Sequence, residues 1–128
     1  MSSINRLCED LGLPKGDKFT QDWAYELPEA YRTSKWLDKY IAAYLNNAYA
    51  TPEKVMLMTL ILDVANDLVQ HAGQENNKAV ANALDLLCVY SQDHLKLIDY
   101  WALDGEPLED CFALTPQVRE LKKKVESP

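Results

Sequence analysis

Asp63, Asp67 and His71 recur at intervals of four, which lines them along one face of a helix. Two carboxylates and an imidazole in that pattern could hold a divalent cation or move a proton. Di-metal sites in helical bundles ask for more, namely several carboxylates and a Glu-x-x-His pair on more than one helix. Glu-x-x-His occurs nowhere in this chain. The same three residues also fit the face on which an amphipathic helix meets water. His94 lies near Ser91 and Asp93, but a catalytic triad is defined by geometry and not by proximity along a helix. It reads as a partly exposed structural histidine. With two histidines and no HExxH, GxSxG, CxxC or phosphate loop, the residues point away from catalysis and imply no metal or cofactor.

A different chemistry is offered by Asp99–Asp110, DYWALDGEPLED. It holds five acids and no base, with Tyr100 and Trp101 among them. Aromatic anchors flanked by charges of one sign suit an electrostatically steered protein interface. They suit equally a buried Trp101 beside an exposed acidic loop. The partner-binding candidates are Asp99, Tyr100, Trp101, Asp104, Glu106, Glu109 and Asp110, with Asp63 and Asp67 as secondary contributors.

The charge of the chain points the same way. Its 128 residues have a net charge of −7. Residues 40–118 hold three bases, Lys54, Lys78 and Lys96, against eleven acids, which leaves −8 for that segment. Such a field disfavours nucleic acid or an anionic membrane as a direct partner and admits a basic protein. Cys8, Cys88 and Cys111 are odd in number and lack metal spacing, as expected of reduced thiols in a cytoplasmic protein. The opening MSSINRLCEDLG has no apolar secretory core.

The elements that must position these residues are helical, and the stretch Thr51–Gly73 organises them. Thr51-Pro52-Glu53 is a helix start, with the Thr hydroxyl expected to cap the first turn and Gly73 expected at the far end. From Val55 to Leu62 only Thr59 is polar, so that half should be buried all round. From Asp63 onward the pattern becomes one-sided, and the helix should leave the core there.

Apolar stripes at helical spacing predict further helices. They run from Ser2 or Ser3 to Leu11, from Thr33 or Ser34 to about Asn46, from about Glu75 to Tyr90, from His94 to Leu103, and from Thr115-Pro116 onward. Residues 19–32 are aromatic and irregular; Trp23 is expected to anchor them, and Pro28-Glu29 could start a single turn. Lys122–Lys124 read as a solvated helix end. No segment alternates with the period of a strand. The expectation is one all-α domain, 1–128, a bundle of about six helices around the central buried helix 51–73.

The stretches FTQDWAYELPEAYRTSKWLDKYI, LMTLILDVANDL and LIDYWALDGEPLEDCFALTP, about half of the chain, look like the small acidic immunity proteins of bacterial contact-dependent and polymorphic toxin systems. That resemblance implies a cytoplasmic, non-catalytic domain, expected as a monomer, that binds one cognate toxin, often a basic nuclease, and blocks it. Helical immunity proteins of nuclease bacteriocins use acids and a tyrosine pair on a helix; Tyr100-Trp101 in its acidic run is the nearest equivalent here. Two alternatives come from other classes. One is a small helical metal- or ligand-dependent enzyme using Asp63, Asp67 and His71. The other is a structural homo-oligomer in which a second copy completes the Val55–Leu62 surface.

Overall fold

The computed structural model describes residues 3–13, 29–46, 49–72 and 78–126, with the side chains of 3–6 and 71–72 excepted. Over these residues the chain forms six α-helices and no strand: α1 Ser3–Leu11, α2 Ser34–Tyr44, α3 Thr51–Ala72, α4 Lys78–Val89, α5 Leu95–Ala102 and α6 Thr115–Glu126. Single 3-10 turns at Glu29–Tyr31, Ser91–Asp93 and Leu108–Asp110 punctuate them. The all-α bundle predicted from the periodicity is the observed architecture. The Trp23 anchor, the proposed cap at Gly73 and the His71 side chain fall outside the described residues.

α3 runs through the middle, packed by α1, α2 and α4. Leu57, Met58, Leu60, Ile61 and Leu62 are fully buried, as the apolar run demands. That surface is covered by helices of the same chain. Burial does not stop at Asp63: Val64, Ala65, Asn66 and Val69 are also inside. The helix stays in the core because its polar residues are matched. Asn66 Oδ1 accepts the Leu114 amide at 3.0 Å, a buried bond joining α3 to the start of α6. α5 and α6 pair with each other, and α6 also rests on α4.

The helix ends follow recognisable chemistry with one shift of register. Both Thr-Pro pairs open a helix, but in each the preceding residue is the cap. Ala50 O accepts Lys54 N, and Leu114 O accepts Val118 N, both at 3.1 Å. Thr51 therefore stands inside the first turn, and the side chain that reaches back is Glu53, whose Oε1 accepts the Ala50 amide at 3.4 Å. This is half of a capping box. Thr33 does cap α2, accepting Trp36 N at 3.3 Å. α1 ends in a Schellman turn, with Gly12 left-handed (φ 70°) and Leu13 N donating to Cys8 O at 2.9 Å.

Candidate protein-binding surface

The acidic segment after α5 is a turn built on the end of that helix. The helix closes with Leu103 in the left-handed region (φ 44°), its amide donating to Asp99 O at 3.3 Å. Gly105, with φ 88°, completes the reversal. A left-handed leucine costs about 1–2 kcal/mol, and Arg119 on α6 holds it in place. The guanidinium donates to three carbonyl oxygens: Ala102 at 2.7 Å, Leu103 at 2.5 Å and Glu106 at 2.9 Å. It thereby satisfies acceptors that the end of α5 leaves open and opposes the negative pole of the helix. Thr115 ties the base of the turn. Its buried hydroxyl donates to Trp101 O at 2.8 Å and accepts the Phe112 amide at 3.1 Å.

The predicted contact residues separate into three groups on this frame. Trp101 is 1% exposed, a core residue lying 4.6 Å from the Phe112 ring centroid. It supports the surface from beneath and presents no face to a partner. Asp99 and Asp104 are exposed but engaged by Lys122, which lies 3.1 Å from Asp99 and pairs closely with Asp104. The ammonium holds the Asp104 carboxyl below the usual carboxylate range. Glu106, Glu109 and Asp110 are exposed and make no ion pair with any described residue. Two apolar side chains of the same segment are exposed as well. Tyr100 is 48% exposed and packs on Phe112, and Leu108 is 57% exposed in the middle of the acids.

Asp63 and Asp67, expected to face water, instead share Arg32, whose Nη2 pairs with Asp63 and whose Nε pairs with Asp67. Their side chains are only 14% and 31% exposed. The turn Glu29–Tyr31 delivers this arginine, fixed by Tyr40 Oη donating to Tyr31 O at 2.7 Å and by the Tyr31 ring packed edge-on against Trp36. Burial pushes the Asp63 carboxyl up, against the pull of Arg32. These two acids add little to an outward negative field, and their oxygens are spent on an arginine. Among the described residues no group of three His, Cys, Asp or Glu side chains converges where a metal could sit.

His94 is buried, 3% exposed, and not the partly exposed residue expected. Its Nε2 lies 2.6 Å from the hydroxyl of Tyr44, while Nδ1 has no hydrogen-bond partner among the described residues. Burial lowers the histidine's basicity, with Asp93 opposing, and pushes the Tyr44 hydroxyl up to about 12. The pair is a neutral pin between α2 and the start of α5. Lys54 lies over the Tyr44 and Tyr90 rings nearby, 5.3 and 5.9 Å from their centroids.

The exposed leucine between Glu106 and the pair Glu109-Asp110 is a signal present in the sequence and absent from the contact residues predicted above. Cys8 is buried, and Cys88 and Cys111 are half-buried thiols. No described helix is long and apolar enough to cross a membrane. Known protein families, curated proteins and solved structures provide no match to this chain.

Proposed function

We propose that this chain is a protein-binding domain that neutralises a cognate bacterial toxin, a basic nuclease in the best reading, through the turn that joins α5 to α6. One observation supports this most. Glu106, Glu109 and Asp110, three exposed carboxylates with no ion pair among the described residues, flank the exposed Leu108 along a segment that Arg119 ties to α6 at the Glu106 carbonyl, and the exposed Tyr100 packs on Phe112 just after them. Interfaces are built from apolar anchors that give affinity and from charges that set orientation and on-rate. Unpaired acids on a chain of net charge −7 select a basic partner, and a nuclease presents such a surface where it receives phosphates. A preordered turn loses little conformational entropy on binding.

Inhibition in this scheme needs no chemistry from the bound domain. The acids occupy the toxin's cationic groove, with Leu108 and Tyr100 as the dehydrated contacts. Growth of cells that co-express the chain with the product of the reading frame directly upstream of its gene tests the function. Rescue of growth supports the reading, and unchanged killing refutes it.

A further inference from the structure

A second surface stands apart from that turn, between α2 and α4. We propose that this groove docks an amphipathic helix of another protein, one whose apolar stripe carries a lysine or arginine at its edge. The floor is Ile41, Leu86 and Tyr90, with Leu45 and Val89 at the sides, around an open cavity of about 400 Å³. Leu45 is 53% exposed and Val89 is 74% exposed. Single exposed apolar residues are ordinary, but two that flank one apolar groove form a contiguous patch of the kind that marks an interface.

The lip carries the information about the occupant. Asn82 and Asp85 line the same groove, one turn apart on α4, both exposed. Neither side chain has a hydrogen bond or ion pair among the described residues. A carboxylate at the edge of an apolar trough favours a cation there. A second copy of the chain is disfavoured on the same ground. Each copy carries −7, and a two-fold contact through this face brings like patch against like patch, Asp85 included. The groove lies between two helices and offers no strand edge, so the fitting shape is a helix laid into it, with anchors at i, i+3 or i+4, and i+7.

The groove is also held in shape. Leu37, Tyr40 and Tyr44 of α2 and Leu87 of α4 are fully buried and anchor the two helices in the core, and the Tyr44–His94 pair pins the end of α2. This docking site does not rest on the toxin reading, since its residues lie on α2 and α4 and at the position that follows each, and the turn after α5 contributes none.

Titration of the full chain with a synthetic amphipathic peptide of leucine and lysine, roughly 18 residues long, tests it by backbone amide NMR. A peptide of the same pattern in leucine and glutamate serves as the counterpart. The proposal expects saturable binding of the lysine peptide, with shifts confined to residues 41–45 and 82–90. Val89→Glu should weaken it by roughly tenfold or more and Asp85→Asn by severalfold, while the triple variant Glu106→Lys, Glu109→Lys, Asp110→Lys should bind as wild type does. Shifts centred on residues 104–110, equal binding of the glutamate peptide, no binding at all, or an unaffected Val89→Glu would each overturn it. Concentration-dependent dimerisation in sedimentation that Val89→Glu abolishes would overturn it too, because the occupant would then be a second copy.

Discussion

Arg119 Nη2 lies 2.5 Å from the carbonyl oxygen of Leu103, the residue at which the chain turns left-handed after α5. The same guanidinium reaches Ala102 O and Glu106 O, so one side chain of α6 holds the chain reversal from Ala102 to Glu106 that opens the acidic turn. A lysine in its place keeps the charge but cannot serve three acceptors in that fork. Arg119→Lys should cost about 1–3 kcal/mol in urea denaturation, and limited proteolysis should begin cutting between 103 and 111. A variant as stable and as protease-resistant as wild type would show that the turn holds itself.

Arg32 makes a similar prediction for the other acids. Its removal leaves Asp63 and Asp67 one turn apart, half-buried and without a counter-charge. A fully buried pair broken this way loses several kcal/mol; with the partial exposure seen here, Arg32→Ala should cost about 1–3 kcal/mol. Adding Asp63→Asn and Asp67→Asn to that variant should recover most of the loss. If Arg32→Ala unfolds at the wild-type denaturant midpoint, the pairing contributes nothing.

The Tyr44–His94 pin sets a pH dependence. Burial lowers the pKa of His94 in the fold, so the unfolded chain binds this proton more readily. Stability from this site is complete above the ordinary histidine value of about 6.5 and declines as pH falls below it. Denaturation midpoints measured from pH about 7 down to about 5 should fall for wild type and stay flatter for His94→Gln. A wild-type midpoint constant over that window would contradict the assignment. Tyr44→Phe removes one of the two groups in the only hydrogen bond seen for the imidazole among the described residues, and should cost about 1–3 kcal/mol at neutral pH.

The helices were legible because each buries one stripe, and stripe spacing is local. Ile4, Leu7, Cys8 and Leu11 predict α1, and the all-round apolar run from Val55 to Leu62 predicts the centre of the bundle. Thr-Pro marked both helix starts, although only the structure shows that Ala50 and Leu114 are the caps. What the sequence hid is pairing across distance. Asp63 and Asp67 looked solvated because the arginine that meets them lies more than thirty positions earlier. Lys122 looked like one of three lysines at a solvated helix end, yet it alone folds back onto Asp99 and Asp104. Trp101, expected as an interface anchor, faces inward, its ring packed on Phe112, which the chain brings back from eleven positions later. The candidate surface is thus narrower than the acidic run suggested, and its apolar member Leu108 was overshadowed by the charges around it.

The central claim is that the turn after α5 binds a basic toxin, and the most direct measurement is co-purification. The chain, co-expressed with the product of the reading frame directly upstream of its gene, should be recovered in a stoichiometric complex with it. The triple variant Glu106→Lys, Glu109→Lys, Asp110→Lys changes only exposed side chains and should remain folded by circular dichroism. The account predicts that it no longer recovers the toxin. Recovery equal to wild type by the folded triple variant, or no complex with the wild-type chain, would contradict it.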